Sequence, residues 1–370
     1  MKNLFRVRTT ALLLVALLLS LGLWGCSREQ AAAPATPETT NDAALKSADH
    51  ANVRAVMAVQ ERFTPALMAD PDIIGTATTI GDDGQPAVLL LITSERARAG
   101  APKILDGVPV RILMTDRIVA MKSTTPTVSH TAKQTAPIQL GTSGGWRYDL
   151  ANGYCCAGTL GSLIQVGGSK RILSNYHVFE ADIVSGGNSR VSATGDPIIQ
   201  PGLIDIGCNA ANGQDVATLV ATRALPNSNV DASTANIISG MVREDGAILE
   251  VGTLSAQTVA ASVGQLVKKS GRTTGLTRSK VSALNATISV AYENECAGGA
   301  AFTKTYTGQI VITNSRSKFL AGGDSGSLLI EDVTTNPRAV GLLFAGSTTT
   351  AIANPIGQVL SYFGATMVGN

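Results

Sequence analysis

A mostly β fold is what this 370-residue sequence predicts, and three observations carry the prediction. Runs of β-branched and aliphatic residues are short. Gly, Asn, Asp and Ser interrupt them at close intervals, as in chains of many brief strands and tight turns. Glycine is abundant, with 38 residues, while aromatic residues make up only 4%. The length suffices for two domains with cores of their own. With 29 Lys and Arg against 27 Asp and Glu, the net charge of +2 gives no electrostatic footprint for nucleic acid or acidic lipid, so neither is expected as a partner through charge.

The first 26 residues read as an export signal. Lys2, Arg6 and Arg8 form a basic start, and a mostly apolar stretch follows from Ala11 to Leu23. The stretch falls short of the roughly 20 apolar residues that a helix needs to cross a hydrocarbon core. Leu23-Trp24-Gly25-Cys26 resembles a bacterial lipobox, which makes Cys26 the expected site of lipidation and the new N-terminus. Residues 27–48, rich in Ala, Pro, Thr and Glu, bury too little to order themselves and are read as a tether.

Residues 49–122 are expected to form a small α+β unit. Asp49 is read as the cap of a helix with Val53, Val56, Met57, Phe63 and Leu67 at helical spacing. Strands are expected at Ile73–Ile80, Ala87–Thr93 and Val108–Met114, the first two joined by a turn at Gly81–Gln85. This unit carries no nucleophile, metal cluster or phosphate loop. Residues 123–145, rich in Thr, Ser, Pro and Gly, read as a linker.

From residue 146 to 370 a second domain is expected. Gly158–Val166, a Gly167-Gly168-Ser169 turn and Arg171–Ser174 form a hairpin that runs into His177. At the other end, Asn354 and Pro355 are read as N-cap and first position of a short helix carrying Ile356, Val359, Leu360 and Phe363, stopped by Gly364.

Acyl transfer by serine needs a base, a group to orient that base and donors for the oxyanion. Ser325 lies in Gly322-Gly323-Asp324-Ser325-Gly326-Ser327, where glycines permit a tight turn aiming the N–H groups of Gly323 and Ser325 at one point. Only one of the three histidines, His177, falls after residue 130, so it is the base. Asp182, Asp196, Asp205, Asp215, Asp231 and Asp245 compete to orient it. Asp231, at a polar-to-apolar junction, is preferred; Asp182, Asp196 and Asp205 are read as turn residues.

The order His177, Asp231, Ser325, the stretch Val267-Lys268-Lys269-Ser270-Gly271-Arg272-Thr273-Thr274-Gly275 and the segment Gly323-Asp324-Ser325-Gly326 resemble the chymotrypsin-like serine proteases, closest to the bacterial lytic-protease and streptogrisin branch. The resemblance covers roughly residues 155–365. It implies two six-stranded β-barrels with the triad between them. It also implies a buried Asp324 neutralised by Lys269, with Arg272 as second choice. The machinery calls for no cofactor and no metal. Val178, Lys268 and Phe319 depart from the branch's usual residues, so its disulfides do not carry over. If Cys26 bears lipid, Cys155, Cys156, Cys208 and Cys296 remain. Adjacent Cys155 and Cys156 cannot readily bond each other, so a two-bridge scheme sends one to Cys208 and the other to Cys296.

The expected activity is therefore that of an exported, lipid-anchored serine endopeptidase acting on polypeptides, with a preference for apolar or small side chains. Residues 49–122 admit three readings: a propeptide that assists folding and blocks the cleft, a fixed accessory domain, or a partner-binding module. The propeptide is preferred, giving intramolecular inhibition with a cut between Ser123 and Ser143. The rival is a surface binding module that keeps the protease fold without its activity.

Overall fold

A computed structural model describes residues 46–120, 130–151, 154–180, 192–220, 225, 228–292 and 302–370. The signal segment with Cys26, most of the tether, Asp182, Cys296 and the first part of the linker lie outside the described residues.

The N-terminal unit opens with helix α1 (Ala51–Leu67). It starts after His50, without a side-chain cap from either His50 or the Asp49 expected there. Its inward stripe is Val53, Val56, Gln60 and Thr64. Two polar members of this stripe are satisfied on the sheet, where Gln60 Nε2 donates to Thr76 Oγ1 at 2.9 Å and the Thr64 and Thr76 hydroxyls meet at 2.7 Å. Strands β1 (Ile73–Ile80) and β2 (Pro86–Ile92) form an antiparallel hairpin. Helix α2 (Glu95–Gly100) and the short β3 (Ile104–Leu105) lead to β4 (Val108–Met114), which pairs parallel with β2. Strand β2 is buried from Ala87 to Ile92, as expected of a central strand covered on both faces. The unit ends in β5 (Val119–Ala120).

The second domain begins earlier than the sequence pattern suggests. Of the stretch read as a linker, His130 and residues 138–145 are packed: His130, Ile138 and Leu140 are buried, and β6 (Thr142–Trp146) belongs to a sheet. Their Thr, Ser and Gly content marks a tightly packed strand and its approach. Thus Ser143 Oγ donates to Asp205 at 2.5 Å, and a Cβ on Gly144 would overlap Leu160.

After the small hairpin β7 (Leu150–Ala151) and β8 (Tyr154–Cys155), the first barrel continues with β9 (Gly158–Leu160), β10 (Ser162–Val166), β11 (Ser169–Ser174), the one-turn helix α3 (Tyr176–Phe179), β12 (Pro197–Gln200), β13 (Gln214–Leu219) and β14 (Ser233–Ile237). Its hydrogen-bonded order runs β10-β11-β14-β13-β12-β6-β9. Only Gly161 separates β9 from β10, so these two are one bent strand and the sheet closes on itself with six strands. A Cβ at Gly161 would overlap the Gly326 carbonyl, which is why the bend takes glycine.

The second barrel comprises β15 (Leu266–Gly271), β16 (Gly275–Tyr292), β17 (Phe302–Thr313), β18 (Leu328–Glu331), β19 (Ala339–Gly346) and β20 (Thr350–Pro355). The order β15-β18-β19-β20-β17-β16 is closed by a β15–β16 pairing, again with six strands. The double barrel implied by the resemblance is therefore present in the pairing pattern itself. Helix α4 (Ile356–Phe363) follows and ends at left-handed Gly364, and β21 (Ala365–Met367) returns to β10 of the first barrel.

Strand β16 is 18 residues long, whereas its partner β15 spans 6. An exposed edge of that length invites pairing. Strand β1 fills it, with Gly75 opposite Ile288 and Thr78 opposite Leu284, so the N-terminal sheet is continuous with the second barrel.

Candidate active site

The expected base and its orienting group come from the first barrel. His177 lies on the one-turn helix after β11, one step beyond the strand end that the sequence suggests, and is 5% exposed. Its Nδ1 is 2.6 Å from Asp231 Oδ2, and Asp231 is wholly buried. The same carboxylate accepts the Tyr176 N–H at 2.8 Å on Oδ1 and the Tyr292 hydroxyl at 2.7 Å on Oδ2. The backbone of Asp231 is fixed too. Its N–H donates to Asn354 Oδ1 at 3.0 Å, and its carbonyl accepts Asn175 Nδ2 at 2.6 Å.

Sequence reasoning missed Tyr292, Tyr306 and Asn354. The Tyr292 and Tyr306 hydroxyls are 2.5 Å apart, and the Tyr292 ring meets that of His177 edge-on at 5.9 Å. Burial first, and the neighbouring Asp231 charge second, hold the Tyr292 hydroxyl well above its usual titration range. Asn354 carries a helix-cap signal in the sequence. In the fold its side chain serves Asp231 and Gln309, and Pro355 precedes the helix without a side-chain cap.

The second barrel supplies the turn around Ser325. Gly323 and Gly326 adopt left-handed φ of 94° and 93°, which suits glycine at both. The N–H groups of Asp324, Gly326 and Ser327 donate to Ala321, Leu343 and Asp324 carbonyls. Those of Gly323 and Ser325 take no acceptor among the described residues, so this turn carries two uncommitted donors. Ser325 is wholly buried, and its hydroxyl donates to the Phe344 carbonyl at 3.2 Å. His177 Nε2 is buried without a hydrogen-bond partner. The structure thus joins His177 to Asp231 but does not hydrogen-bond Ser325 to His177. The two halves are nevertheless neighbours: Thr159 N–H donates to the Ser325 carbonyl at 2.8 Å, and the Thr159 carbonyl accepts the hydroxyl of Ser174, three residues before His177.

Asp324 is buried, with Lys269 Nζ at 3.4 Å from its Oδ2. Its oxygens also accept the N–H groups of Thr273 at 2.9 Å, Thr274 at 3.1 Å and Ala321 at 3.0 Å, and the Thr274 hydroxyl at 2.7 Å. Burial lowers the Lys269 ammonium from its ordinary range, partly offset by the Asp324 charge. Arg272 pairs with Asp205. Asp205, read from the sequence as a turn residue, is therefore a buried ion-pair partner from the first barrel, a role that its Gly- and Asn-rich neighbourhood conceals.

Residues 115–120 of the N-terminal unit lie against this site. Strand β5 pairs antiparallel with β19, Ala120 opposite Ala345 and Val119 opposite Gly346, immediately after Phe344. On its other side Val119 pairs with Ala291 of β16. The Thr115 and Ser347 hydroxyls meet at 2.7 Å.

Cys155 and Cys208 form a disulfide, Cys156 is also disulfide-bonded, and Cys296 lies outside the described residues. No helix among the described residues is long and apolar enough to cross a membrane.

The family model of the Nal1 C-terminal domain matches residues 224–354. No curated protein matches the chain. Solved structures similar to it include a glutamic acid-specific serine protease described as using a histidine triad in substrate binding, at 20% identity over 62% of this chain and 100% of that one, with a TM-score of 0.41. Thermobifida fusca protease A is 20% identical over 63% of this chain and 99% of its own, with a TM-score of 0.40. Cellulomonas bogoriensis chymotrypsin is 20% identical over 57% and 91%, with a TM-score of 0.36.

Proposed function

We propose that this chain is a serine endopeptidase, exported and anchored through lipid on Cys26, and held latent by its own N-terminal unit. The observation that carries the reading is the buried His177–Asp231 pair beside a nucleophile turn with two uncommitted N–H donors. Ser325 Oγ leaves the Phe344 carbonyl, turns to His177 Nε2 and attacks a peptide carbonyl while the imidazole takes its proton. Asp231 stabilises the imidazolium, and the N–H groups of Gly323 and Ser325 hold the oxyanion. The imidazolium then protonates the departing amine. Water, deprotonated by the same imidazole, releases the acyl group and restores the serine.

A polypeptide substrate fits this reading because the edge of β19 already binds a strand. Main-chain pairing at Ala345 and Gly346 supplies affinity that is independent of sequence. The strand seated there belongs to the enzyme itself, which supports intramolecular inhibition. Residues 130–146 are tied into the first barrel, so a separating cut belongs between Ala120 and His130, narrower than the span drawn from composition alone. The disulfide suits an oxidising compartment outside the cytosol.

The test is labelling of the soluble chain 27–370 by a fluorophosphonate, before and after separation of residues 46–120. Ser325→Ala abolishes labelling and the appearance of a fragment beginning between residues 121 and 130. Labelling undiminished by that substitution refutes the assignment, and an active chain that stays uncut refutes self-processing. The engagement of the Ser325 hydroxyl by Phe344 favours one rival, a binding module without activity. That rival requires no labelling in either state. Replacement of Cys26 by Ser moves the protein from membrane to soluble fractions if the anchor is lipid.

A further inference from the structure

The Gly322–Gly323 peptide has to present its N–H to the reacting carbonyl, yet two glycines give it no preferred orientation of their own. Across a trans peptide the C=O of one residue and the N–H of the next point in opposite directions. Whatever holds the Gly322 carbonyl therefore aims the Gly323 N–H. That group is the Thr273 hydroxyl, which donates to the Gly322 carbonyl at 2.6 Å. A hydroxyl has one proton to give, and its direction is set by what it accepts. Arg272 Nη1 donates to Thr273 Oγ1 at 3.0 Å, occupying a lone pair and leaving the proton for Gly322. Arg272 is in turn clamped by Asp205 of the first barrel, Nε to Oδ2 at 2.7 Å and Nη2 to Oδ1 at 2.6 Å, with both side chains buried. Asp205 also accepts the Ser143 hydroxyl, and it sits three residues before Cys208, whose disulfide to Cys155 ties down this loop.

We propose that Asp205, Arg272 and Thr273 are positioning residues that aim the Gly323 oxyanion donor, a relay running from the first barrel to the nucleophile turn of the second. This rests on the endopeptidase reading. A tie that merely joined the barrels would end at the Asp205–Arg272 pair. The extra hydroxyl on the Gly322 carbonyl acts on the orientation of the next N–H.

The test compares Thr273→Val, Thr273→Ser and Asp205→Asn in the whole chain after activation, using a peptide ester and a peptide boronate whose tetrahedral adduct occupies the oxyanion site. Loss of one oxyanion donor costs about a hundred- to a thousandfold in kcat, so a misaimed donor in Thr273→Val lowers kcat by roughly ten- to a hundredfold. KM stays within about twofold, and the boronate inhibition constant rises by the same factor as kcat falls. Thr273→Ser restores both. Asp205→Asn moves both in the same direction as Thr273→Val and serves as the readout should Thr273→Val not fold. The inference is overturned if Thr273→Val keeps its kcat and boronate affinity, if Thr273→Ser and Thr273→Val are equally impaired, or if the loss lies wholly in KM. A wild-type chain that neither turns over ester nor takes a fluorophosphonate overturns the endopeptidase reading itself.

Discussion

Two carboxylates, Asp324 and Asp231, are wholly buried, and their surroundings differ in kind. Asp324 faces the Lys269 ammonium, three backbone N–H groups and a threonine hydroxyl. Asp231 faces an imidazole, a tyrosine hydroxyl and the N–H of Tyr176, and among the described residues no lysine or arginine forms an ion pair with it. The charge of Asp324 is met on the spot by the Lys269 ammonium, so its work is to hold the turn around Ser325 in shape. The charge of Asp231 is hydrogen-bonded with no ammonium at ion-pair distance among the described residues, which suits it, on the proposed mechanism, to favour a proton arriving on His177. Burial alone marks neither role; the formal charge of the partner does.

The sharpest way to break this contrast is Asp231→Asn, which keeps the shape and removes the charge. It should lower kcat by about ten-thousandfold, as mis-set tautomers do, with the melting temperature little changed; a loss of under about a hundredfold would place the orienting role elsewhere. Next comes Lys269→Met, which strands the Asp324 charge in the interior and should cost about 3–5 kcal/mol of stability in denaturant melts. Adding Asp324→Asn should recover part of that loss, since it removes the stranded charge but sets an amide NH2 against a backbone N–H donor. No recovery at all would show that Lys269 matters through packing rather than charge.

Asn354→Ala removes the acceptor for the Asp231 N–H and should cost about 1–3 kcal/mol, read from the same melts. The smallest effect is expected from Tyr292→Phe, a loss of about tenfold or less in kcat. It carries a pH signature as well. The folded hydroxyl titrates above its ordinary value of 10.0, so above that pH the unfolded chain gives up a proton that the folded chain retains. Stability contributed by Tyr292 is thus full below pH 10.0 and declines as pH rises toward the folded value. Tyr292→Phe should flatten that alkaline decline in a pH series of melts; an unchanged slope would assign it to other groups, Tyr306 first among them.

Local signals suffice at some positions of this chain and mislead at others. The hairpin at Gly167-Gly168 was legible because the turn requires positive φ, and both glycines have it, at 54° and 85°. The strands at Ile73–Ile80 and Val108–Met114 fall where the apolar runs place them. Asn354 misled because a helix-cap signature and a buried amide look alike until the chain beside them is known. Residues 130–145 misled because Thr, Ser and Gly describe a loose linker and a crowded strand equally well. His177 was nominated as the base by counting, since a chain with three histidines leaves few alternatives.

Short windows of the chain were enough to predict the β-rich character, five strand runs and the Gly167-Gly168 turn, and to nominate His177, Asp231 and Ser325, because side-chain period, glycine placement and residue scarcity are all local or countable. The folded chain alone revealed that Tyr292 and Asn354 serve Asp231 from 61 and 123 residues away. It alone seated β5 against β19, and it alone paired Arg272 with Asp205 rather than with Asp324. The reason is that a hydrogen-bond partner is chosen by which groups meet once both barrels close. That meeting depends on strand register over the whole chain, and no short window contains it.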